Sequence, residues 1–160
     1  MKRAAGSRYH PAMKKLAQYY LHGFGTEKNY EQASVWFGRY LGRERNSREA
    51  LENARTILKR AEKRIDFIAG FSLLKIAVEV ECQAGRCDSE IAQTAAEEML
   101  ICTKKKFYEL MDRRNYNDAQ RLLDYCRDVY RDSPGAFSKH THEILRKKYE
   151  IMRNKLSNLQ

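Results

Sequence analysis

The sequence predicts an all-α fold built from antiparallel helix pairs, and three observations carry that prediction. Only two prolines and eight glycines punctuate the 160 residues, too few for the closely spaced turns of an all-β domain. Apolar residues recur at intervals of three and four along most of the chain, the period of a helix with one buried face. Hydrophobic and charged residues are abundant together, at 42% and 32%, as amphipathic helices with charged outer faces require. A chain of this length makes about one domain and can bury a core without metal or disulfide support.

From Pro11 to His22, the residues Ala12, Leu16, Ala17, Tyr20 and Leu21 form one stripe and predict a first helix. Gly23-Phe24-Gly25 should stop it, because glycine adopts left-handed backbone angles without steric cost. Tyr30, Ala33, Trp36, Phe37 and Tyr40 mark a second helix to Leu41, and the short connection predicts an antiparallel hairpin. Asn46 or Ser47 can cap a third, with Glu49 and Glu52 near its positive end. Its stripe of Leu51, Ala54, Leu58, Ala61, Ile65 and Ile68 predicts one long helix from Ser47 to Ala69 with a coiled-coil-like seam.

Gly70 is expected to divide that helix from the run Phe71 to Val80. There Leu73, Leu74, Ile76, Ala77 and Val78 are apolar on more than one side, the pattern of a central buried helix, which should end near Gly85. Asp88 or Ser89 can cap the next helix, carrying Ile91, Ala95, Met99 and Cys102 to about Met111. Arg113-Arg114-Asn115 reads as a turn. A helix from Tyr116 to Tyr130 follows, with Ala119, Leu122, Leu123, Cys126 and Tyr130 on its stripe, and it should stop at Asp132-Ser133-Pro134-Gly135. A last helix from about Phe137 to Leu156 is expected to turn Ile144, Leu145, Tyr149 and Met152 inward.

Within the first hairpin, Ala12, Leu16-Ala17, Tyr20, Gly23-Phe24-Gly25, Asn29, Ala33 and Trp36-Phe37 stand in a spacing that resembles the Sel-one-like repeat, a relative of the tetratricopeptide repeat. Ala17 replaces the family's usual glycine, Asn29 its acid and Thr26 its valine. The full unit covers under a third of the chain. Ala4-Ala5 before Pro11-Ala12 is similar to the tail of a preceding repeat, with Arg8 where a glycine is usual, and Phe107 to Tyr130 bears a weaker tetratricopeptide likeness. The resemblance implies a helix-hairpin α-solenoid with an irregular C-terminal helical bundle: residues 1–42 as the hairpin with a repeat remnant, and 43–160 as a divergent extension packed on it as a single domain. It also implies a protein-binding adaptor or chaperone-like scaffold, because one hairpin cannot cover its own apolar face. An uncovered N-terminal edge would invite a second copy.

Charge supplies the candidate surface. The net charge is +10, with residues 1–70 at +8, 71–100 at −4 and 101–160 at +6. Such an excess steers acidic partners or nucleic acid, and equally keeps a helix face solvated. Arg55, Lys59 and Lys63 step at i, i+4 with Arg60 and Arg64 beside them, a positive stripe expected to orient an acidic partner. Tyr19 and Tyr40 are expected as aromatic anchors on the binding face. Lys104-Lys105-Lys106 and Arg146-Lys147-Lys148 read as solvated faces.

No catalytic, cofactor or metal residues are assigned, and an enzyme is not expected. His10, His22, His140 and His142 form no HExxH pattern, and no nucleophile stands at a recognisable spacing. Cys82 and Cys87 could be half of a zinc site, but no second pair follows. The four cysteines are expected as reduced thiols, with Cys102 and Cys126 on apolar stripes. No window is long and apolar enough to span a membrane, and MKRAAGSRYH lacks the apolar core of a secretory signal. A cytoplasmic setting is therefore expected, with a secreted effector as the alternative.

Overall fold

Helix boundaries follow from capping and from what each helix buries. The computed structural model describes residues 10–132, 147 and 150–159, and all of its regular structure among them is helical. In chain order the helices are α1 (His10–His22), α2 (Tyr30–Glu44), α3 (Ser47–Arg60), α4 (Arg64–Gln83), α5 (Glu90–Asp112) and α6 (Tyr116–Asp132). Residues 150–157 form a further helical stretch, α7.

The α1–α2 connection turns where Gly23 and Gly25 take positive φ, 76° and 67°. Asn29 then caps α2, its Oδ1 accepting from Gln32 N at 3.0 Å, while its own N–H donates to the Tyr20 carbonyl at 2.9 Å. A short polar side chain is what a cap needs, and Asn29 supplies it. Lys14 near the start of α1 lies 5.4 Å from the Tyr40 ring near the end of α2, so the two helices run antiparallel.

The region after Arg60 departs from expectation. One helix from Ser47 to Ala69 is predicted, yet α3 stops at Arg60 and α4 starts at Arg64. Lys63 is extended (φ −97°, ψ 157°), and Asp66 Oδ2 accepts its N–H at 3.2 Å, a cap that starts α4 afresh. The chain folds back on itself: Ser47 at the head of α3 donates to Glu81 near the end of α4 at 2.6 Å. Gly70 does not divide two helices but sits inside α4 as a close-approach point. A Cβ there would lie 2.6 Å from Leu58 Cγ. The coiled-coil-like seam is thus absent, and Ile65 and Ile68, expected in the core, are 43% and 49% exposed.

Helix α4 is the centre. Ala69, Phe71, Leu73, Leu74, Ala77, Val78 and Val80 are buried beneath α2, α3 and α5. Small residues on its neighbours (Ala33, Ala50, Ala54, Ala92, Ala95 and Ala96) allow the close approach. This cluster runs from α1 through α5 and takes in Val129 of α6. A second, smaller cluster joins Phe107, Ala119 and Leu123 to Met152 and Leu156 of α7. Expectations for Ala4-Ala5 and Arg8, for Ile144, Leu145 and Tyr149, and for the stop at Ser133-Pro134-Gly135 lie outside the described residues.

The cysteine expectation also needs correcting. Cys82 and Cys87 form a disulfide across the α4–α5 turn and are not free thiols. Gly85, at φ 75°, reverses the chain, and Arg86 N donates to the Glu81 carbonyl at 2.8 Å, which returns Cys87 to Cys82. The cytoplasmic expectation drew on four reduced thiols and loses that support. No helix among the described residues is long and apolar enough to cross a membrane.

Candidate partner-binding groove

The residues expected to form one binding stripe are divided by the break between α3 and α4. Lys63 stands in the turn past the end of α3, so Arg55, Lys59 and Lys63 do not share a helix. Arg55 is held by Glu98 of α5, an ion pair that raises the guanidinium pKa. Lys59, Arg60 and Lys63 are exposed, without a carboxylate partner among the described residues. Tyr40 is half-buried beneath Lys14, whose ammonium bonds Glu49 at 2.9 Å. Tyr19 is exposed beside the Gly23-Phe24-Gly25 turn.

Arg64 of that group lines a cavity. A groove of about 350 Å³ opens between the first turns of α4, the last turns of α5 and the first half of α6. Its wall is aromatic: Phe67 and Phe71 are one helical turn apart with ring centroids at 5.7 Å, and Phe71 meets Tyr125 of α6 at 5.1 Å. Leu110 and Leu122 complete the apolar floor, and half-exposed Ile68 forms a lip. Burial pushes the Tyr125 phenol pKa up, keeping the wall uncharged.

The rim is mainly basic, with Arg64, Lys106, Arg113 and Arg121 against Glu62 and Asp118. Most of these charges are already engaged. Asp118 accepts from Arg64 at 3.2 Å and from Asn115 Nδ2 at 2.9 Å, with Arg121 at 3.6 Å. Lys106 pairs with Glu109 at 3.1 Å and lies 5.9 Å from the Phe67 ring. Arg113, the C-cap of α5, is exposed and has no ion pair among the described residues. An aromatic trough with a cationic edge can hold a bulky apolar group beside an anion.

Sequence reasoning missed Phe67, Phe71, Leu110, Arg113, Asp118 and Tyr125 as groove residues. The i, i+4 pair Phe67 and Phe71 was the available signal, but its meaning depends on α6 crossing over it. Elsewhere, Glu81 is buried yet ionised: Arg86 bonds both its carboxylate oxygens at 3.0 Å, and Ser47 adds a third bond. Arg86 is the main reason its pKa is lowered to about 2. This cluster ties the start of α3, the end of α4 and the α4–α5 turn together. Burial raises the Cys102 and Cys126 thiol pKa values, which disfavours the thiolate a nucleophile needs. Among the described residues, no group of three or more His, Cys, Asp or Glu is placed to hold a metal ion.

Comparison with protein-family models, with curated proteins and with solved structures finds no match for this chain.

Proposed function

We propose that this chain is a binding adaptor whose groove between α4, α5 and α6 receives a segment of a partner protein. The observation that carries the reading is the half-open aromatic trough, with Ile68 left 49% exposed on its lip. Apolar surface of this kind, rimmed by charge, suits a side-chain anchor from another molecule. The α1–α2 hairpin, similar to a Sel-one-like unit, then serves as the buttress of a solenoid-like array that holds α4 in place.

Panning a displayed random-peptide library on the wild-type protein and on Ile68→Ser tests the reading. Enriched peptides should bind the wild type and lose about tenfold in affinity on the variant, the scale of one interface anchor. No enrichment, or enrichment indifferent to Ile68→Ser, would refute it.

A second reading, nucleic-acid contact, draws on exposed Lys59, Arg60 and Lys63 at the α3–α4 turn. It requires binding to single- or double-stranded probes that weakens steeply with salt. Absence of a mobility shift at low salt removes it.

A further inference from the structure

We infer that the groove selects an acidic segment, one in which a bulky apolar side chain lies within a helical turn of a carboxylate that pairs with Arg113. The inference rests on the adaptor reading and adds the chemistry of the partner. Three of the four rim cations already have carboxylate partners within the chain: Arg64 and Arg121 share Asp118, and Lys106 has Glu109. Arg113 has none among the described residues and is exposed at the end of α5, on the lining of the groove. Lining cations outnumber lining carboxylates, so the rim carries net positive charge toward whatever enters.

Position makes this charge specific. The apolar floor beside Arg113 is Leu110, one turn back on α5, and Leu122 across on α6. An anchor seated there brings a carboxylate one turn away on the same ligand within reach of the guanidinium. A guanidinium grips a carboxylate through two parallel N–H donors, which adds direction to the attraction. A basic segment would meet a rim of net positive charge, with Arg113 unpaired among the described residues, and be repelled.

The probes are three fluorescein-labelled synthetic helices carrying Phe and Leu one turn apart, with Glu, Gln or Lys a further turn along the same face, titrated by fluorescence anisotropy. The Glu helix should bind the wild type about fivefold more tightly than the Gln helix, with the Lys helix weakest, the scale of a partly exposed ion pair. On Arg113→Gln the Glu and Gln helices should become equal while the Gln helix keeps its wild-type affinity. Ile68→Ser should weaken all three alike, and a thermal melt of each variant checks that it is folded. If the three helices bind equally to the wild type and all weaken on Ile68→Ser, the acidic preference is wrong and the adaptor reading stands. If none binds, both are wrong. Displacement of the Glu helix by a short oligouridylate at similar concentration would assign Arg113 to nucleic acid and overturn the inference.

Discussion

Gly70 and Leu58 show how one missing methyl group sets a helix packing distance. The Cβ of an alanine at position 70 would approach Leu58 Cγ to 2.6 Å, far inside van der Waals contact. Alanine gains helix propensity, but the clash falls between two packed helices and outweighs it. Gly70→Ala should therefore cost about 1 to 2 kcal/mol in urea unfolding. The penalty should vanish in a Leu58→Ala background, because the clashing atoms are then gone; an unchanged penalty would place the strain elsewhere.

Glu81 ties its ionisation to folding. Its carboxyl is held at about 2, against an ordinary value of 4.5, chiefly by Arg86 and then by Ser47 and Ser89. A depressed folded pKa adds stability that is complete above the unfolded value and is lost as pH falls through the folded one. Glu81→Gln should thus be less stable than wild type by about 2 kcal/mol at pH 6, the scale of hydrogen bonds to a buried charge. The gap between the two proteins should close as pH drops from 4.5 toward 2. Denaturation midpoints measured across that range give the check.

At the scale of elements, the break between α3 and α4 decides the shape of the groove. Hydrophobic periodicity continues from Leu51 to Ile68, and nothing in that spacing marks the reversal at 61–63. The local marker is Asp66, three residues after Lys63 and accepting its backbone N–H. Asp66 also sits in the first turn of α4, where a negative charge suits the helix dipole. Asp66→Ala should cost about 1 kcal/mol. It should also speed amide hydrogen exchange in the first turn of α4 while leaving the rest of that helix protected. Uniform loss of protection would show that the cap supports the whole bundle.

At the scale of the molecule, two clusters of buried residues meet imperfectly, and the groove is their junction. Phe67 and Phe71 belong to the large cluster around α4, whereas Leu110 and Leu122 pack against the small one built on Phe107 and Leu123. Helix α7 completes the small cluster through Met152 and Leu156, and Lys155 lies 4.9 Å from the Tyr108 ring. Leu156→Ala should cost about 2 to 4 kcal/mol, the range for truncating a buried leucine. Because the small cluster supports one wall, the same variant should weaken the Glu-helix probe. Full stability in the variant would mean that α7 contributes little to this wall.

The all-helical class, the first hairpin, the central place of Phe71–Val80 and the α5–α6 turn were legible in the sequence, because each is written in local spacing and capping residues. The α3–α4 reversal, the Cys82–Cys87 bond and the groove were not. An apolar stripe states which side of a helix is buried, but not which helix buries it. Ile65 and Ile68 kept the period of a core while ending on the surface, since α4 folds back along α3 and turns that stripe outward. Arg113 and Phe67 share a site only because α5 and α6 close over the first turns of α4, a long-range arrangement set by which surfaces pack together rather than by the order of the residues.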